Sequence, residues 1–299
     1  MAAMRVLAVC VVLAAMLSAP AAAEPKPVTA TPLVWVAHGP KATAYLLGSI
    51  HALPKNVNWQ TPQIVDAVAR SDTFVFEVPM DEDTREAAAE TFQRNALLPA
   101  SMALPSFFDD EMRDQYRQVI MLTRANPEPI VYLRPWLAAL VLQGVASGGT
   151  GFIASEGVDN KIYAMAAKKR GAKFRALETD ELQFRLLMGN GKIDDELALL
   201  RATFTEILKN HSTKSDALLA AWTKGDAKAL AALGPDSMGW TPKAKKELLD
   251  DRNRAWVPQI EAMLDEPHTF FVTVGAAHLV GKGGVPNLLR TAGYKVDGP

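Results

Sequence analysis

"YLLGSIHALP" (residues 45–54) and "FFVTVGAAHLVG" (residues 270–281) carry one figure twice. In each, a short apolar run ends in a glycine, Gly48 or Gly275, and a histidine, His51 or His278, follows three residues later. The chain has only 5 histidines, so two in matching settings near opposite ends call for a shared explanation. Around the first figure, residues 33–37 and 44–47 read as short strands joined by the turn "HGPKA". "TPQIVDAVARSD" then reads as a helix, with Thr61 as cap, Pro62 at its first position, and Ile64, Val65 and Val68 on one face. "TFVFEV" (73–78) is β-branched and aromatic and reads as a buried strand.

The second figure repeats that order. Residues 269–274 read as a strand, "GAAHLVGKGG" as a Gly-rich loop, "VPNLLRTAG" as a short helix ended by Gly293, and "YKV" as a last strand. A third piece, "DNKIYAMAAKKRG" (159–171), reads as a helix capped by Asp159 and stopped by Gly171, followed by the strand "KFRAL" and then Glu178. Segments 84–98, 109–124, 135–147, 181–188, 194–209, 215–222, 226–233 and 243–265 have helical spacing. The expected fold is α/β: a mixed-sheet core built from two related strand-GxxH-helix-strand halves, with a large inserted helical layer. One domain is expected over 24–299, its core near 33–80, 150–180 and 268–299, its helical layer near 81–149 and 181–267.

Bulk properties narrow the function. At 49% hydrophobic and 22% charged residues the composition is globular, and a net charge of −1 argues against a nucleic-acid surface. Residues 1–23 read as a cleaved export signal: Arg5 is the sole charge before Glu24, an apolar run spans 6–17, and small residues precede a cut after Ala23. That run is shorter than the roughly 20 residues a membrane span needs, although a retained anchor is the alternative. No second span follows, since the apolar stretch 137–145 is far too short. Cys10, the only cysteine, lies in this segment. The mature chain therefore has no disulfide, thiol nucleophile or sulfur ligand to metal, and its expected place is periplasmic or extracellular.

In open α/β sheets ligands sit beyond the carboxyl ends of the strands. There the sequence places Gly48-Ser49-Ile50-His51, Glu77, Glu178 and Gly275-Ala276-Ala277-His278. Two histidines and two glutamates are thus expected to meet at one sheet edge. The glycines would serve a positive-φ turn or a close backbone approach to a ligand. Glu77, a carboxylate in an otherwise apolar strand, needs a cation, a metal or a hydrogen-bond donor; an arginine that merely holds loops in place would also satisfy it. Asn253 interrupts the apolar stripe Leu249, Trp256, Ile260 and Leu264, with Arg252 beside it. The pair could aim at the His/Glu cluster, or Asn253 could bond a loop carbonyl. His38, His211 and His268 fall at turns or a helix end and read as solvated; "GKGG" lacks phosphate-loop spacing; and no GxSxG elbow surrounds Ser49.

The markers "YLLGSIHALP", "FVFEV", "EGVDNKI", "ALETDELQ", "DDRNRAW" and the segment from "FFVTVGAAHLVG" to "YKV" resemble the TraB/GumN family, grouped with the Tiki Wnt-inactivating metalloproteases, over about residues 33–296. The resemblance implies an α/β core shared with erythromycin-esterase and ChaN-like proteins. It implies a site of His51, His278 and Glu77, with Glu156, Asp159 and Glu178 carried over from "EGVD" and "LET". Tiki proteins cleave peptides with a divalent metal, whereas other relatives hydrolyse esters or bind haem iron. The leading expectation is therefore an exported, metal-dependent, peptidase-like hydrolase. His51 and His278 would hold Mn²⁺, Co²⁺ or Zn²⁺, with Glu77 as third ligand or general base. Arg252 or Asn253 would stabilise the oxyanion, Glu178 would assist, and Gly48, Ser49 and Gly275 would line the ligand. Two alternatives stay open. One is a metal-independent esterase with His51 as general base and Glu77 orienting it. The other is a binding protein for metal, haem or a peptide. The expected partner is a peptide or small-molecule substrate; the sequence leaves the oligomeric state open.

Overall fold

The two apolar runs that precede the GxxH loops are neighbours at the centre of one sheet. The computed structural model describes residues 26–146, 152–188, 191–210, 213–237 and 242–299. Residues 1–23, which carry the expected export signal and Cys10, and His211 lie outside the described residues. The strands are β1 (Val28–Thr29), β2 (Val34–His38), β3 (Thr43–Ser49), β4 (Val57–Asn58), β5 (Thr73–Phe76), β6 (Lys173–Ala176), β7 (Thr269–Gly275) and β8 (Lys295–Asp297). β1 and β4 form a small parallel pair that no periodic signal announced. The rest make a 6-stranded mixed sheet in the order β6-β5-β7-β3-β2-β8. β6, β5, β7 and β3 run parallel, and β2 is antiparallel to both β3 and β8.

The register of β3 on β7 sets Gly48 opposite Val274 and Ser49 opposite Gly275. Both GxxH loops therefore leave the sheet side by side. From β3 the chain crosses past β7 to β5; from β7 it crosses the other way, past β3 and β2, to β8. Adjacent parallel strands whose connections diverge leave a crevice beyond their carboxyl ends, the usual ligand position in such sheets. All four residues of β5 and residues 270–274 of β7 are buried, as apolar, β-branched segments in a covered sheet should be. The rings of Phe74 and Tyr45 meet that of Phe271 across the strands, at 6.2 and 6.5 Å.

The helices are α1 (Pro62–Arg70), α2 (Glu82–Ala96), α3 (Asp110–Thr123), α4 (Pro127–Ile130), α5 (Pro135–Ala146), α6 (Val158–Ala166), α7 (Asp180–Leu187), α8 (Ile193–Asn210), α9 (Thr213–Thr223), α10 (Ala227–Ser237), α11 (Pro242–Lys245), α12 (Asp251–Leu264) and α13 (Val285–Thr291). In α1 the Thr61 hydroxyl accepts from Ile64 N–H, and Ile64, Ala67 and Val68 are buried. Val65, expected on that face, is 44% exposed instead. The helical segments divide between two apolar clusters. Leu104, Trp136, Leu142, Leu200 and Phe204 belong to a core formed around α2–α5 and α8. Trp222, Leu230, Trp256 and Ile260, from α9, α10 and α12, belong to the sheet core.

Three expectations need correction. Segment 243–265 is not one regular helix: a π-helical turn over Lys246–Asp250, with Asp251 N–H bonded to the Lys246 carbonyl, separates α11 from α12. A single apolar stripe cannot reveal such an insertion, which re-aims the residues after it. Asp159 does not cap α6; Gly157 holds that position without a side-chain bond, and Asp159 lies in the first turn. Finally, neither Gly48 nor Gly275 has positive φ. Their missing side chains serve close packing, because a Cβ on Gly48 would lie 2.9 Å from Ala276 Cα.

Gly48→Ala should therefore cost about 1–3 kcal/mol through overpacking. Gly144→Ala, at an exposed site in α5 with open space for a methyl, should gain about 0.5–1 kcal/mol. Urea midpoints shifting in opposite directions would bear this out; equal shifts would refute it.

Candidate functional site

Three segments converge where β3, β5 and β7 end. The first GxxH loop is clamped onto the segment before α6. Val158 N–H donates to the Ile50 carbonyl at 3.0 Å, and residues 53 and 153 exchange two backbone bonds. Gly157 packs so closely that an added Cβ would lie 2.1 Å from the His51 carbonyl oxygen. This contact explains the glycine of "EGVD" and places Asp159 at the His51 ring. His51 Nδ1 and Asp159 Oδ2 are 2.9 Å apart. A carboxylate accepts, so Nδ1 carries the proton and Nε2 is left to the crevice.

The His51 side chain is 69% exposed while that of Asp159 is 15% exposed, so a fixed acid supports an open imidazole. The protein walls around His51 oppose its charge. The bond to Asp159 and its negative charge outweigh them, Glu77 helps, Arg252 opposes, and the pKa rises to about 9. Water at the open edge screens part of that effect.

Glu77 is buried at the end of β5. Its Oε1 accepts Gly275 N–H at 2.6 Å. Its Oε2 accepts Arg252 Nη2 at 2.6 Å and Gln183 Nε2 at 3.2 Å. Burial alone would raise the pKa of Glu77. The surrounding His278, Arg252 and His51, with the Gly275 amide, override it and hold the value at about 2. Glu178, one strand over and also buried, accepts from Arg252 Nε at 2.8 Å and Nη2 at 2.9 Å, and from Trp256 Nε1 at 2.8 Å. The remaining Arg252 nitrogen, Nη1, reaches the Leu248 carbonyl at 3.1 Å and His278 Nε2 at 3.2 Å. All five guanidinium hydrogens thus have acceptors, and the group also lies 4.9 Å from the Trp256 ring centre.

These contacts fix the state of His278. Asn253 Nδ2 donates to the Gly283 carbonyl at 2.8 Å, which turns its Oδ1 toward His278 Nδ1, 2.6 Å away. His278 must therefore donate from Nδ1 and present a lone pair at Nε2, where Arg252 can only donate. Burial depresses the pKa of His278 to about 3, with Arg252 and His51 adding to the effect against Glu77. The ring is a buried neutral acceptor packed 4.3 Å from Trp256.

The structure thus gathers His51, Glu77, Glu178, Arg252, Asn253, Gly275 and His278 at one crevice. A methyl on Gly275 would sit 3.2 Å from Glu77 Oε1, 3.5 Å from His278 Cδ2 and 3.7 Å from His51 Nε2, so all three side chains border that glycine. Gly48 is not part of the cluster; its carbonyl accepts Trp222 Nε1. The Ser49 hydroxyl is buried without a hydrogen-bond partner among the described residues. Glu156 pairs with Lys161. His38 pairs with Asp297 and His268 with Asp72, away from the crevice. Sequence reading missed Gln183 and the polar use of Trp256. The Trp256 signal was present, since it follows Arg252 by four residues on the same helix face. It also assigned the orienting of His51 to Glu77, where Asp159 does it.

The divalent metal that the resemblance implies would take His51, His278 and Glu77. Nitrogen and oxygen donors suit it, but their arrangement does not. The His278 lone pair faces Arg252, and Glu77 is tied to an amide and the same guanidinium. Among the described residues no group of three or more His, Cys, Asp or Glu side chains is placed to hold a metal ion. With Arg252 where it stands, these residues do not fit a metal centre.

Comparison with known proteins agrees in extent with the architecture. The model of the TraB/PrgY/gumN family matches residues 33–298. Two relatives are the uncharacterized protein YbaP of Escherichia coli (strain K12) and of Shigella flexneri. The first is 26% identical over 82% of this chain and 87% of its own length. The second is 25% identical over 83% of this chain and 88% of its own. No solved structure matches the chain.

The site should make the fold acid-sensitive. Glu77 falls from 4.5 to about 2 on folding, so its contribution is complete above pH 4.5 and lost as pH falls toward 2. His278 falls from 6.5 to about 3, and as a buried neutral base it too loses stability as pH drops through that window. Urea midpoints measured from pH 7 to pH 2 should fall steeply in the wild type and less steeply below 4.5 in Glu77→Gln. Parallel curves would contradict the assignment.

Proposed function

The chain belongs to the TraB/PrgY/gumN family, and from the geometry of its crevice we propose that it is an exported hydrolase in which His51 activates water. The observation that carries this reading is the Asp159–His51 pair: a recessed carboxylate fixes Nδ1–H and leaves Nε2 facing the crevice, on a ring that is 69% exposed. A positioned imidazole with a carboxylate behind it is the usual arrangement for a general base.

In this reading a substrate carbonyl rests against Gly275, where the backbone has no side chain to hold it off. The His51 Nε2 lone pair takes a proton from water as its oxygen attacks the carbonyl carbon. The same proton then passes to the leaving oxygen as the acyl–oxygen bond breaks, and His51 is restored. An ester suits this machinery better than a peptide, because an alkoxide leaves with one proton from an imidazolium and needs no further electrophile. Arg252 contributes its charge and no free N–H, since every donor is engaged. That corrects the expectation that it would bond an oxyanion directly. Asn253 likewise acts by orienting His278. Metal-assisted peptide cleavage, the expectation from the family resemblance, would require His278 Nε2 to be released from Arg252. Export rests on the pattern of residues 1–23.

The test is turnover of a panel of acyl esters by the mature protein. Activity should survive chelation and disappear in His51→Asn. Below about pH 9 the rate should rise close to tenfold per pH unit, because only unprotonated His51 acts as base. Asp159→Asn should lower kcat by about 10²-fold and move that limb toward the ordinary histidine value. Turnover that stops with chelator would overturn the reading in favour of the metal. Ligand retention without turnover would favour a binding protein.

A further inference from the structure

Beside Glu77 stands an amide with one end unused. Gln183 lies on α7, and its Nε2 donates to Glu77 Oε2 at 3.2 Å. The Glu77 carboxyl is held at about 2, so it is ionised and can only accept. That fixes the direction of the amide: Nε2 faces the carboxylate, and Oε1 is turned away from it. Among the described residues Oε1 accepts no hydrogen bond. It is not sealed from solvent either, and Gln183 is only partly buried. The polar groups next to it are committed elsewhere. Arg252 has no free N–H, and Glu178 accepts from Arg252 and Trp256.

Glu77 also fixes where that oxygen stands. Its other oxygen, Oε1, accepts Gly275 N–H at 2.6 Å, and Gly275 is the surface on which the substrate carbonyl rests in the reading above. One carboxylate group therefore separates that resting place from Gln183. At such a remove the amide oxygen meets the substituent on the carbon beside the scissile carbonyl, and it can only accept. An acyl group without a donor there would cover the oxygen and leave it unpaired, which is unfavourable. We infer that Gln183 selects the acyl group: the substrate is an α-hydroxy or α-amino acyl ester, whose O–H or N–H donates to Gln183 Oε1. The ester chemistry in this inference rests on the hydrolase reading, whereas the contact itself is read by binding alone.

The experiment compares matched esters that differ only in the donor. Ethyl lactate is set against its O-methyl ether, and N-acetylalanine ethyl ester against its N-methyl form. In wild type, kcat/KM should favour the donor by about tenfold in one pair at least, and the pair that shows it tells hydroxyl from amide. Gln183→Leu and Gln183→Met, with fold checked by circular dichroism, should erase that preference by bringing the donor ester down to its methylated partner. Kd for the same esters, measured by NMR titration of His51→Asn, should show the same preference without turnover. If no ester is turned over but the Kd preference holds, the hydrolase reading fails and this inference stands. Equal kcat/KM and equal Kd within both pairs would overturn it. So would a preference that persists in folded Gln183 variants.

Discussion

One guanidinium holds the crevice together. Arg252 spans the ends of β5 and β6 by bonding Glu77 and Glu178, and it reaches the second GxxH loop through His278. Two carboxylates this well buried would be costly without it, since an unpaired buried charge is among the most destabilising defects a fold can carry. The whole carboxyl edge of the sheet therefore depends on the placement of α12. The π-helical turn before α12 is the local irregularity that goes with that placement. Two i,i+5 ion pairs, Lys245–Asp250 and Lys246–Asp251, sit across the turn at the spacing it favours.

The two GxxH histidines are alike in sequence and opposite in condition. His278 is buried, neutral and locked by Asn253 and Arg252; His51 is open and charged through Asp159. The difference follows from what lies behind each ring. Behind His278 stands an amide whose nitrogen is already committed to Gly283, so Nδ1 must donate, and the Arg252 N–H facing Nε2 keeps the ring neutral. Behind His51 stands a carboxylate, which favours a proton and leaves the opposite nitrogen to the solvent. A repeated motif has thus been divided between a structural acceptor and a group able to exchange protons.

Much of the sheet could be read from residues alone. The apolar runs before Gly48 and Gly275, the β-branched stretch at 73–76 and the Thr61-Pro62 helix start are local signals, and each element forms close to its expected bounds. Of the crevice, His51, His278, Glu77, Glu178, Arg252 and Asn253 were legible because strand ends and polar interruptions of apolar stripes are visible in one dimension. What was not legible depends on partners distant in sequence. Whether Glu77 faces a metal or an arginine is decided by the rotation of α12, which the π-helical turn alters. From its own residues Asp159 looked like a helix cap, and the family resemblance alone carried it to the site; the packing of Gly157 on His51 is what sets it at the ring. The close-packing role of Gly48 likewise needs Ala276 in view. The division of the helical segments into two cores was not legible either, since amphipathic faces do not name the surface they will cover.

The state of the two imidazoles tests this account most directly. Long-range ¹⁵N–¹H correlation spectra of the selectively labelled histidines, followed from pH 5 to pH 10, report which nitrogen of each ring carries a proton. The account predicts that His278 keeps a proton on Nδ1 and a bare Nε2 throughout, while His51 is doubly protonated at neutral pH and loses its Nε2 proton toward pH 9. A His278 that titrates near the ordinary histidine value, or that carries its proton on Nε2, would contradict it, because Arg252 could not then occupy the place it does.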